Sequence, residues 1–199
     1  MSHPAPAVEP TPTPTPPASD PLPVIGIDPG QTWTACVLRV EDHAEFGWTM
    51  GPVGANGQLL KSALSDPDNW VAFGRYVAKL RDALDELVDH AIQRWGVVRI
   101  GVEVPHVPVG YRNSSPKFQR LPVRDWLVPR QVAAAVIGAY PEAKKVVADG
   151  HGRRPASEYP RELRGARPHH WGPNQFRNGE RDHERAAYDV AGVAARMPR

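Results

Sequence analysis

Three places in this chain gather residues that could do chemistry together. The run Val24-Ile25-Gly26-Ile27 ends in Asp28, and Pro29-Gly30 then breaks it. The run Val97-Val98-Arg99-Ile100-Gly101-Val102 ends in Glu103, with Pro105 close behind. Near the C-terminus, Asp182, His183 and Asp189 fall within one alanine-rich stretch. Apolar, β-branched runs of this kind read as buried strands. Each would deliver its final acid to a sheet edge, beside a turn, where a carboxylate can hold a cation or orient a phosphate. For Asp28 alone the competing reading is a plain turn cap. Carboxylates converging on one edge repel each other unless cations sit between them. Hard oxygen ligands with few His or Cys suit Mg²⁺ or Mn²⁺. Two such ions about 4 Å apart clamp the attacking and leaving oxygens of a phosphodiester undergoing hydrolysis. The chain has no recognisable Ser-His or Cys-His arrangement, so no covalent nucleophile competes with that chemistry.

The elements between these residues decide whether they meet. Thr34–Val40 and Ala44–Met50 read as two further strands, with 51–57 as a loop, which makes a hairpin-linked meander after the first strand. Asn69–Trp95 carries the clearest period, with Trp70, Phe73, Val77, Leu80, Leu84, Leu87, Ala91 and Trp95 at three- and four-residue steps. Asp82, Asp85, Glu86 and Asp89 fill the opposite face, so this is a long amphipathic helix ended by Gly96, with Asp66 or Asp68 as its cap. A helix of that length between two strands is a crossover, and the strands it joins pair in parallel. Parallel neighbours send their C-terminal ends to one edge, so Glu103 is expected beside Asp28. Val104–Arg124 reads as a long loop, Trp126–Tyr140 as a second helix with Pro129 kinking it or marking its first turn, and Lys144–Ala148 as a short last strand. Asp182–Met197 reads as a final helix of small residues, with Asp182 as N-cap. Asp182 and Asp189, seven apart, share a face.

Composition bounds the rest. The chain has 199 residues, 41% of them hydrophobic, enough for one domain with a tail. Residues 1–22 alternate Pro with Thr, Ala and Ser and are expected to be a disordered, extended tail, leaving 23–199 as the domain. No apolar run approaches the roughly 20 residues that span a bilayer, and no signal-peptide core is present, so neither a membrane span nor export is expected. Cys36 is the only cysteine. It excludes an internal disulfide, reads as a buried thiol, and points to a cytoplasmic setting. Net charge is +2, but Arg112 to Arg181 holds fourteen Lys or Arg against six Asp or Glu. That asymmetry, with a basic loop over 149–181, points to a polyanion partner. His151, His169 and His170 in that loop match no zinc-ligand spacing.

Taken in order, Ile25-Gly26-Ile27-Asp28-Pro29-Gly30 resembles the opening strand of the RuvC Holliday-junction resolvases, which have an RNase H-like fold. The Ile100–Glu103 strand resembles their second acidic strand, and the C-terminal helix resembles the one carrying their remaining metal ligands. The resemblance spans residues 24 to 197, and the first motif is its closest part. It implies an α/β, RNase H-like domain, a mixed sheet of about five strands flanked by helices. It also implies a crossover junction endonuclease using two Mg²⁺ or Mn²⁺ ions. Asp28 and Glu103 carry over directly. The family's last helix presents Asp or His and then Asp three residues later; here Ala186 occupies one of those positions under either alignment. Asp189 is then expected as a ligand, assisted by Asp182 or by His183, the latter as a proton shuttle. The implied partners are a four-way DNA junction and a second copy of the chain, with no nucleotide cofactor. Arg112, Lys117, Arg120, Arg124 and Arg130 would contact phosphates, and His106, Tyr111 or Phe118 would stack on an unpaired base.

Three other readings compete, one of them an RNase H-like nuclease with another substrate, such as flaps or RNA hybrids. An actin-like ATPase also has a first strand ending in Asp-x-Gly, but it needs a second domain and phosphate loop that this length cannot hold. A catalytically altered RNase H-like DNA-binding protein would explain Ala186.

Overall fold

The computed structural model describes residues 21–51, 68–106, 123–165 and 181–198, and for 123–125 the backbone alone. Five strands form one mixed sheet: β1 (Pro23–Pro29), β2 (Thr34–Val40), β3 (His43–Met50), β4 (Arg99–Val104) and β5 (Lys144–Val147). Their order is β3-β2-β1-β4-β5. The first three strands pair antiparallel, while β4 runs parallel to β1 and β5 parallel to β4. The fold is therefore α/β, as expected, and the described residues form three helices: α1 (Trp70–Trp95), α2 (Val123–Ala139) and α3 (Asp182–Ala195). No helix among the described residues is long and apolar enough to cross a membrane.

The two sheet faces are built differently. On one, Ile25, Ile27, Cys36, Leu38, Ile100 and Val102 pack with the buried stripe of α1 (Tyr76, Leu80, Leu84, Leu87, Ala91) and with Val128, Val132 and Val136 of α2. Each fully buried large apolar side chain contributes about 1.5–3 kcal/mol, so this larger cluster dominates stability. On the other face, α3 lies almost on the backbone. A Cβ added to Gly26 would stand 1.9 Å from the Ala187 carbonyl oxygen, and one on Gly101 would stand 2.5 Å from Ala194 Cβ. Strand side chains alternate faces. Two residues beyond each of these glycines, on the same face, come Asp28 and Glu103. The same triplet, glycine–apolar–acid, thus recurs on both parallel strands and points its acid toward α3.

Several boundaries differ from the sequence reading. The N-cap of α1 is Asn69, whose Oδ1 accepts from the Ala72 amide at 3.1 Å, rather than Asp66 or Asp68. Gly96 closes that helix in the left-handed conformation, φ 72°. Its apolar stripe enters the core at Phe73, partly buried, and is fully buried from Tyr76 on, while Trp70 is exposed. Helix α2 begins at Val123, so Pro129 lies inside it rather than in its first turn. Helix α3 starts with Asp182 as its first helical residue, and Arg181 occupies the cap position without a side-chain cap bond.

Candidate active site at the sheet edge

The parallel register pairs Val24 with Arg99 and Ile27 with Val102. Asp28 and Glu103 each follow the last pair by one residue, so they emerge side by side. The Pro29-Gly30 break turns the chain at once, with the Gly30 amide donating to the Trp33 carbonyl at 2.8 Å. Glycine is needed at 30. A Cβ there would lie 2.2 Å from the Trp33 carbonyl oxygen and 3.3 Å from His183 Cε1.

Each carboxylate has one imidazole partner. His183, in the first turn of α3, sets Nδ1 2.8 Å from Asp28 Oδ2. His151, in the turn after β5, sets Nδ1 3.1 Å from Glu103 Oε2. Both carboxylates are largely shielded, with side-chain exposures of 15% for Asp28 and 14% for Glu103. Burial pushes the Glu103 carboxyl above its ordinary range and the Asp28 charge pushes it further, while His151 pulls it partly back. For His183, burial acts to lower the pKa. The Asp28 hydrogen bond and charge, with Asp182 and Glu184 beyond, outweigh it and leave the imidazole raised above its ordinary value. Two acids close enough to feel each other across a dry edge, with weak partners, are the arrangement a cation relieves.

The other residues singled out by sequence are placed differently. Asp189 lies on the expected side of α3, but Oδ2 accepts from the Gly152 amide at 3.0 Å and from Tyr159 Oη at 2.8 Å, while Oδ1 pairs with Arg154. Asp182 is 74% exposed and paired with Arg185 at 3.1 Å. Arg130 donates to the Pro105 carbonyl, tying α2 to the end of β4. Arg112, Lys117 and Arg120 lie outside the described residues, as do Tyr111, Phe118, His169, His170 and the side chain of Arg124. Cys36 is buried, and burial first, then Asp28, pushes its thiol well up, which makes it inert as a nucleophile.

His151 is the site residue that sequence reasoning missed. The signal existed. A last strand parallel to β4 must end at the same edge, so the turn behind it, Asp149-Gly150-His151-Gly152, returns to Glu103.

As to a metal, no group of three or more His, Cys, Asp or Glu among the described residues is arranged to hold one. The pair itself suits a single hard cation. Both donors are oxygen, no thiolate is near, and Asp28 Oδ1 and Glu103 Oε1 make no hydrogen bond to a described residue. Mg²⁺ typically takes one or two carboxylates and completes its shell with water and phosphate. No protein-family model matches the chain, and no curated protein matches its sequence.

Proposed function

We propose that this protein is a divalent-cation-dependent endonuclease of RNase H-like, RuvC-type architecture that hydrolyses phosphodiester bonds in branched DNA, acting as a homodimer on four-way junctions. The observation that carries the reading is the emergence of Asp28 and Glu103 from adjacent parallel strands at one edge, each backed by a histidine. The five-stranded mixed sheet and the arrival of α3 at that edge support it. A cation between the two acids would supply charge for the phosphate oxygens. Asp28 and Glu103 would hold it. His183, with Nδ1 on Asp28, is the imidazole placed to relay a proton at that carboxylate.

The test is direct. Purified protein is incubated in Mg²⁺ or Mn²⁺ with a synthetic four-way junction, a flap and an RNA–DNA hybrid. Junction cleavage is expected, lost by about 10²–10³-fold in Asp28→Asn and in Glu103→Gln with junction binding retained, the loss typical when a preorganised electrostatic group is removed. ATP turnover without cleavage would overturn the reading. A second reading, a DNA-binding relative with altered chemistry, is favoured by one observation. Ala186 brings no acid to the site, and Gly152 packs so closely on it that a Cβ there would lie 3.1 Å from Ala186 Cβ. Junction binding without cutting would select that reading.

A further inference from the structure

The turn Gly150-His151-Gly152 is built to present one side chain. Gly150 has φ 68° and Gly152 φ 81°, a region that L side chains rarely enter. Between these two pivots His151 is only 10% exposed and reaches Glu103. The turn is seated on α3, where a Cβ on Gly152 would also stand 2.7 Å from the Asp182 carbonyl oxygen. Its amide is gripped by Asp189, and the same carboxylate holds Arg154 and Tyr159 further along the segment. Arg154 in turn stacks over the Tyr159 ring at 4.3 Å, and that ring is fully buried. Asp189 therefore has three donors, one of them a permanent cation. To ligate a metal it would have to release charge-assisted bonds that the segment depends on.

We propose that Asp189 is a positioning residue, which clamps the Gly150–Gly152 turn so that His151 orients Glu103. The effect on cation binding rests on the nuclease reading above; the clamp itself does not. His151 donates from Nδ1 to Glu103 Oε2 and so fixes the orientation of that carboxylate. Histidine–carboxylate pairs of this kind commonly tune a metal site from behind its ligands.

Two measurements test it. In the first, nitrogen NMR of cation-free protein in mildly alkaline buffer reads the His151 tautomer. The Nδ1–H form is expected, giving way to Nε2–H in Asp189→Ala. An Nε2–H ring in the wild type, or a tautomer indifferent to Asp189→Ala, overturns the clamp. In the second, Mn²⁺ binding is titrated without DNA. His151→Ala and Asp189→Ala should each weaken it about tenfold, the usual scale for outer-shell partners. The double variant should be no weaker than either, and His151→Gln, which keeps a donor for Glu103, should recover most of the loss. Additive losses would make Asp189 an independent ligand and overturn the proposal. Asp189→Asn, which keeps an acceptor for the Gly152 amide, serves if Asp189→Ala fails to fold, with a smaller tautomer change expected and none overturning the clamp. If the wild type binds no Mn²⁺, the nuclease reading fails, and the tautomer measurement alone decides the clamp.

Discussion

Two sets of carboxylates stand on the same side of the sheet, and their partners differ in kind. At the edge, Asp28 and Glu103 face each other and two imidazoles. On α3, Glu184 and Asp189 face arginines: Arg181 Nε is 2.6 Å from Glu184 Oε2, and Arg154 pairs with Asp189. Guanidinium is always charged and geometrically matched to a carboxylate. It neutralises its acid permanently. Imidazole does so only while protonated. The first set is therefore left with charge that a cation can relieve, while the second holds chain to chain. The same residue type serves chemistry or architecture according to which base the fold puts beside it.

The largest effect expected from this contrast is on folding. Arg181 and Glu184 are essentially without exposure, Glu184 also accepts from Thr49 Oγ1 at 3.2 Å, and Arg181 reaches the Glu162 carbonyl. This ion pair fastens the end of the basic segment to β3 and α3. Arg181→Met strands a buried carboxylate and should cost about 3–5 kcal/mol in denaturant unfolding. Replacing both residues by Met should restore most of that loss, since a buried pair and its apolar substitute are often close in energy. At the edge the contrast predicts the opposite sign. At alkaline pH, where the His183–Asp28 pairing no longer contributes, Asp28→Asn relieves Glu103 of a like charge and should leave stability unchanged or slightly higher. A loss at Asp28 comparable to that at Arg181 would erase the distinction.

Acidity gives an intermediate effect with a defined direction. Glu103 is raised above its ordinary value of 4.5. The stability that its protonated form contributes is fully present below that value and is lost as pH rises through the folded one. His183 is raised above 6.5. Its pairing with Asp28 stabilises fully below 6.5 and is lost as pH climbs through its folded value. Both groups tilt the same way, so in cation-free buffer Tm should fall between weakly acid and weakly alkaline pH. Glu103→Gln should flatten the acid part of that slope and His183→Gln the neutral part. Mg²⁺ should raise Tm at alkaline pH in the wild type and not in Asp28→Asn. A slope unchanged by either substitution would show that the edge carries no unrelieved charge.

Much of this contrast can be read in the sequence, and what cannot has a physical reason. The Gly26–Asp28 and Gly101–Glu103 triplets, and the long crossover between them, bring the two acids together by strand alternation and parallel pairing alone. Those are local rules. Asp189 shows where such rules stop. Seven residues on a helix share a face, yet at 1.5 Å per residue they lie about 10 Å apart along the axis. The periodicity gave the direction of Asp189 and said nothing of its height, and at that height the neighbours are Arg154 and Tyr159 rather than Asp28. His151 depends on the return of an irregular turn held by left-handed glycines and a distant acid, for which no period exists. Asn69 took the cap expected of Asp66 or Asp68 because both types cap well and the choice depends on where the first turn begins.

The smallest effect probes whether Asp189 is fully held. Tyr159 donates to Asp189 Oδ2, and its phenol is pushed up to about 12 by burial first and then by the hydrogen bond and charge of Asp189, against the opposing Arg154. Tyr159→Phe keeps the buried ring, its edge-to-face packing on Tyr188 at 6.2 Å and its place under Arg154. Only one donor is lost. Because the Gly152 amide and Arg154 still satisfy the carboxylate, the cost should stay near 1 kcal/mol by denaturant unfolding, the usual worth of one hydrogen bond when its acceptor is not orphaned. Glu103 should keep its partner, since the clamp on the Gly152 amide is untouched. A cost of about 3 kcal/mol, on the scale of breaking a buried charge pair, would mean that Tyr159 rather than Arg154 carries the burden of Asp189. Asp189 would then owe its fixed state to burial and neutral donors, and the division between arginine-held and histidine-held carboxylates would rest on Glu184 alone.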